Sequence, residues 1–429
     1  MKSKILILAI ICSSYIHAEV LVFSKAYELA LENSHEIKSS TYKAKSANEK
    51  VEQAWSQLYP QLDLSAYYKK SEYTRNPTNI ESEQSLLNYS VTVQQSIYSA
   101  ENYSRIDAEE SRSKYSKITV ELERQELAKK VFEAYLNVLK SKNKIELYKS
   151  YLQHRESKFE ELKKKYDMRL ANKMDLLEML INYNSSKIDL EKEKKLYSTY
   201  QLKLKQLIGD DSYELPIIDS EKNIMDILGK LRGKTEAVYN SLYIKQAKTA
   251  VEISDNEIES AFDAHLPTLN FIAKYDKYDT DDPDQFAPYS NVQYFMFTLD
   301  IPLYTGGYTS SKVSMLEFEK QAAIEDLEKI KNDTIVQYDE YMAIFEATIE
   351  SVSMYKKALE SSRLYVESIE EGYQHGLKSI SDLSDAENKL YEVKYKYIEN
   401  IYEMVSAYIN ILIITDDFND IEILDSIIM

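Results

Sequence analysis

Leu87-Asn88-Tyr89-Ser90-Val91-Thr92-Val93-Gln94 alternates apolar and polar side chains without a break, the period of an extended strand with two unlike faces. Leu62-Asp63-Leu64-Ser65-Ala66 and Leu269-Asn270-Phe271 repeat the pattern more briefly, and residues 291–301 are rich in aromatic and β-branched types. These segments predict four strands, over 62–75, 87–99, 268–279 and 291–303, with polar, proline-containing loops at 76–86 and 280–290. Such strands run to about ten residues, the length a membrane β-barrel uses. Two soluble hairpins would show the same alternation, but their apolar rows would need a core, and the neighbouring segments already bury faces of their own.

Working outward, the period changes from 2 to 3.6. The 429 residues hold only 7 glycines and 7 prolines, and neither type occurs between Ala100 and Gly209, between Gly307 and Gly372, or after Gly376. Apolar residues there recur at threes and fours, as in Leu127, Val131, Tyr135, Val138, or Met342, Phe345, Ile349, Val352, or Leu390, Val393, Tyr397, Ile401, Met404, Tyr408. These are long helices with Glu and Lys on their other faces. A continuous helix from Ala100 to Leu170 would be ~105 Å long. No globular core needs that length. So few turn residues exclude a β-sandwich.

Residues 1–18 read as a secretory signal: Lys2 and Lys4, the apolar run Ile5 to Cys12, then Ala18 before Glu19. Removing them takes away the only cysteine and moves the formal charge from −18 to −20. That balance disfavours nucleic acid as a partner, and a chain without cysteine has no disulfide framework or cysteine metal site. No later run reaches about 20 apolar residues, so a membrane crossing would have to be made by a closed barrel.

The chain also repeats itself. Leu58-Tyr59-Pro60-Gln61-Leu62 matches Leu266-Pro267-Thr268-Leu269, and Ser96-Ile97-Tyr98 matches Pro302-Leu303-Tyr304, at offsets of 207 and 206. The predicted organisation is a signal peptide (1–18), a first repeat of helix, two strands and helical hairpin (19–209), a linker (210–235), a second repeat (236–414) and a tail (415–429).

This order, with Leu-Tyr-Pro-Gln-Leu and His-Leu-Pro-Thr-Leu entering the strands and Ile-Pro-Leu-Tyr-Thr-Gly-Gly (301–307) leaving them, resembles the TolC-type outer-membrane efflux protein family over essentially the whole chain. The resemblance implies a mostly α fold with a membrane β-barrel, in which a homotrimer closes a 12-stranded barrel from four strands per protomer and antiparallel helical hairpins form an α-barrel through the periplasm. It implies no enzyme and no cofactor, but an exit duct in the outer membrane. Its partners would be lipid, a periplasmic adaptor and an inner-membrane transporter that together open it.

The resemblance also assigns residues. Asp382 and Asp385, one turn apart on one helix face, match aspartates that ring the periplasmic constriction; by themselves they are ordinary first-turn acids. Six such carboxylates around one lumen would favour cations, and crowding would raise some above the usual aspartate range. Tyr373, Lys378 and Asp175 match a latch of the closed state. The hairpin tips, with Arg169, Leu170, Ala171, Gly376, Leu377 and Ser379, would carry the adaptor contact. Arg169 stands where the family usually has glycine.

Other constellations carry little. His35, His154, His265 and His375 are scattered without ligand spacing. Asp279-Thr280-Asp281-Asp282-Pro283-Asp284 lacks the glycine and distal glutamate of a calcium loop. Tyr67, Tyr68, Tyr89, Tyr98 and Tyr304 suit interfacial girdles. The alternative to a duct is a soluble periplasmic coiled-coil scaffold.

Overall fold

The computed structural model describes residues 20–75, 80–209, 213, 215, 235–281 and 290–416. The expected signal peptide, nearly all of the linker, most of the tail and the tips of both strand loops lie outside the described residues. In chain order the elements are α1 (Phe23–Asn33), α2 (His35–Trp55), β1 (Gln61–Arg75), β2 (Ile80–Tyr98), α3 (Ala100–Asp167), α4 (Lys173–Ile208), α5 (Leu242–Asp263), β3 (Thr268–Thr280), β4 (Asn291–Asp300), α6 (Tyr308–Gln374) and α7 (Ile380–Ile414). The chain forms two compact units. One comprises Met1–His35, Arg124–Val238 and Val336–Met429; the other comprises Glu36–Glu123 and Tyr239–Ile335.

The second unit holds one four-stranded antiparallel meander in the order β1-β2-β3-β4. Its register shows why the strands alternate. Leu64 faces Val91, which faces Tyr275; Ala66 faces Tyr89; Phe271 faces Phe297, and Ala273 faces Phe295. Directly opposed residues share a face, so these side chains make one apolar surface. The opposite surface carries Asp63, Thr92 and Lys274 in one register row and Ser65, Ser90 and Asp276 in the next. On that polar side Asn88 donates to Asp276, whose carboxylate also lies 3.1 Å from the Lys274 ammonium.

Strand β2 starts at Ile80, seven residues before the alternation. Residues 80–86, expected in a loop, pair with β1 as far as Arg75↔Ile80. Backbone ladders are indifferent to side-chain polarity, so a strand can continue where it no longer needs an apolar row. At the other end β4 stops at Asp300, two residues before Pro302, which has no N–H to donate.

The first unit is helical. Leu127, Val131, Tyr135 and Val138 of α3 are buried, as are Ile401, Met404, Tyr408 and Ile411 of α7. Phe23 of α1 stands edge-on to Phe132 with ring centroids 5.2 Å apart. Helix α4 ends at Gly209, whose φ of 77° suits glycine. There the Asn33 amide donates to the carbonyls of Gln206 and Leu207 at 3.2 and 3.1 Å, supplying partners the helix end lacks.

Candidate functional site

The two helical hairpins turn in the same way. In the first, the Arg169 N–H donates to the Tyr166 carbonyl at 2.8 Å and the Leu170 N–H to Lys165 at 2.7 Å. In the second, Gly376 donates to Tyr373 at 3.0 Å and Leu377 to Gly372 at 2.8 Å. Both are Schellman closures, which need a left-handed residue just past the helix. Gly376 supplies it with φ 72° and Arg169 with φ 60°. The departure at Arg169 therefore changes the side chain and leaves the turn intact.

A left-handed non-glycine residue costs roughly 1–2 kcal/mol, against which glycine gives up about 0.5–1 kcal/mol of chain entropy. Arg169→Gly should accordingly stabilise the protein by about 0.5–1 kcal/mol, read as a raised midpoint of chemical unfolding with unchanged slope. A lowered midpoint would show that the arginine side chain contributes more than its backbone strain removes.

Each turn leads into a capped helix. Asn172 accepts from the Asp175 N–H at 2.8 Å and starts α4. Ser379 starts α7 with a reciprocal box: Asp382 N–H donates to its hydroxyl at 3.1 Å, and its own N–H and O–H donate to Asp382 Oδ2 at 2.9 Å each. The backbone N–H of Ser379, then its hydroxyl, with Lys378 adding charge, hold the Asp382 carboxyl below the usual aspartate range. The box contributes most above the ordinary aspartate pKa and is lost as pH falls through the depressed one.

Beneath both turns lies an apolar cluster of Leu162, Met179, Ile369, Ile380, Leu383 and Ala386, with Ala171 and Tyr373 packed against it. Leu170 and Leu377 do not join it: they project from equivalent positions, 74% and 80% exposed. Asp382 and Asp385 are also exposed, whereas Leu383, Ser384, Ala386 and Glu387 between and beside them are buried. Both carboxylates thus leave the packed side of α7 together.

The expected latch is not assembled within one protomer: among the described residues no ion pair joins Lys378 to Asp175. The Lys378 stem instead lies against Gly372, where an added Cβ would sit 2.8 Å from its Cγ. Lys165 stands 5.8 Å over the Tyr373 ring.

Sequence reasoning missed Arg155, which is fully buried in the helical unit beside Ser384, Glu387 and Asn388 of α7. One signal was present: Arg155 continues the inward spacing of Tyr148, Tyr151 and Leu162 in a helix whose other cations are mostly lysines.

The sequence profile described as outer membrane efflux protein matches residues 26–210 and 235–414. Outer membrane protein TolC of Vibrio cholerae is 24% identical over 412 residues, 92% of either chain. Alkaline protease secretion protein AprF of Pseudomonas aeruginosa is 19% identical over 327 residues, covering 74% of this chain and 67% of its own. Among solved structures, CusC superposes with a TM-score of 0.82 at 16% identity, covering 94% of this chain and 95% of its own. Outer membrane protein VceC of Vibrio cholerae gives 0.79 at 16% identity, covering 92% and 95%.

Proposed function

The chain belongs to the outer membrane efflux protein family, and from that premise we propose that three copies form the exit duct of an efflux pump or secretion system in a Gram-negative outer membrane. The observation that carries this reading is the sheet. It has one continuous exposed apolar face, one polar face and two unpaired edges, β1 and β4. Open edges are not tolerated in lipid, and four strands are too few to close, so joining β4 of one copy to β1 of the next gives a barrel of 12 strands. The polar face then lines the water-filled lumen.

In this reading the hairpins of the three copies form the periplasmic α-barrel, and the tips at Arg169, Leu170, Ala171, Gly376, Leu377 and Ser379 receive an adaptor coupled to an inner-membrane transporter. The shared Schellman turns and caps at an offset of 207 support an internal duplication. The latch of Tyr373, Lys378 and Asp175 would form between copies. Relatives named for protease secretion and for cation efflux fit a duct whose cargo is chosen by its transporter.

Purified trimers in planar bilayers test the reading. They should conduct, prefer cations, and be blocked from the periplasmic side by multivalent cations. Asp382→Ala with Asp385→Ala should remove selectivity and block, because six carboxylates leave the constriction; the alanine at 382 loses the side-chain half of the capping box but keeps its N–H on the Ser379 hydroxyl, so α7 still starts there. Unchanged selectivity would place the filter elsewhere. Recovery of the protein from the soluble periplasm without detergent would favour the scaffold reading instead.

A further inference from the structure

Between the apolar core around Val131 and the apolar cluster at the tips, the interior of the helical unit turns polar. At its centre is Arg155 of α3, fully buried. One terminal nitrogen donates to the Ser384 hydroxyl at 2.7 Å; the other donates to the Tyr151 hydroxyl at 2.6 Å and to Asn388 Oδ1 at 2.9 Å. Asn182 of α4 donates to the same Ser384 hydroxyl at 2.8 Å. Glu387 stands 3.5 Å from Arg155 Nη2 and 2.7 Å from His154 Nε2. One turn nearer the tip, Lys158 pairs with Glu370 of α6. Within a few residues of Arg155, α3, α4, α6 and α7 are all tied together, so the knot joins the first hairpin to the second.

We propose that this knot is the fulcrum of channel opening: the hairpins stay joined at Arg155 while the tips below it part. The inference rests on the exit-duct reading and adds where that duct bends. The contacts on the two sides of the choice differ in kind. Below the knot, α3 meets the second hairpin through the apolar cluster and through Lys165 over Tyr373. Apolar contacts are non-directional and slide, and a solvent-facing cation loses little when water replaces its partner. At the knot, a buried guanidinium holds a fixed fork of acceptors, the Tyr151 hydroxyl on its own helix and Ser384 and Asn388 on α7, and separating α3 from α7 would leave Arg155 with Tyr151 alone and Glu387 with neither Arg155 nor His154. Opening therefore proceeds through the tip contacts first. Amplification follows from position, since the tip lies about twelve residues, or roughly 18 Å of helix, beyond the pivot.

Cross-linking the whole trimer tests this, because the sole cysteine, Cys12, lies in the segment read as signal peptide. Leu147→Cys with Tyr391→Cys locks α3 to α7 just above the knot, where the Tyr391 hydroxyl donates to the Leu147 carbonyl. Lys165→Cys with Tyr373→Cys locks α3 to α6 at the tip. Each pair is closed with a short bismaleimide, and export by cells and conductance of the purified trimer are compared with the same variant before closure. The lock near the knot should leave export and opening unchanged, and the tip lock should abolish both. Loss of export with both locks would overturn the fulcrum, since the knot would then have to open. Export surviving the tip lock would overturn it too, because the tips would not need to part. Open trimers that never conduct, even before closure, would overturn the duct reading and the fulcrum with it.

Discussion

Phe295→Arg should abolish assembly in the outer membrane, whereas Tyr294→Arg, one residue away, should leave it intact. Phe295 lies near the middle of β4, 79% exposed, opposite Ala273 and beside Phe271, whose ring stacks on it at 6.4 Å. If that face meets lipid, an arginine near the midplane costs roughly 2–4 kcal/mol per copy, and threefold symmetry brings the total to about 6–12 kcal/mol. That is comparable with the whole stability of an ordinary domain, about 5–15 kcal/mol. Tyr294 sits on the other face, opposite Lys274, where a cation is already accommodated and a second would be solvated by the lumen. The measurement is the yield of trimer in the outer-membrane fraction, compared at equal expression. Trimers of Phe295→Arg with none of Tyr294→Arg would mean that the faces are reversed. Equal tolerance of both would mean that the sheet does not sit in lipid at all.

Most of what places these residues was legible in the sequence, for particular reasons. The alternation over 87–94 determines which side of β2 is apolar, and because side chains in a strand have a period of two, the register then carries that face across all four strands. The glycine-poor stretches marked the helices, and the tip of the second hairpin showed at Gly376, with Arg169 at the corresponding place in the first. The start of β2 was not legible, since residues 80–86 are held by backbone pairing and their polar side chains look like loop. The cap made by Asp382 was not read, although Ser379 three residues before an acidic residue is an N-cap signal. Arg155 was missed because a lysine- and glutamate-rich helix is ordinarily a solvated one, and nothing in a single residue reveals which helices will close over it.

Its burial leads to the second large effect. Arg155→Met should destabilise the protein by about 3–5 kcal/mol, and adding Glu387→Leu should recover most of that loss. Methionine keeps much of the volume, so the expected loss comes from charge and hydrogen bonding and not from a cavity. Without the guanidinium, the Glu387 carboxylate, itself buried, keeps only His154, while Ser384 and Asn388 lose the donor they shared. An unpaired buried charge is the expensive state, and an apolar pair of similar size is not. The two changes should therefore couple strongly in a double-mutant cycle read by chemical unfolding of the protein. Additive losses would show that Arg155 and Glu387 act separately. The same double variant also distinguishes stability from positioning. It restores the packing but not the directional fork to Ser384 and Asn388, so its hairpins should slip where the wild type pivots. It should fold and assemble, yet leak in its closed state; a double variant that is both stable and tight would mean that apolar packing at this level is enough to keep the hairpins in register.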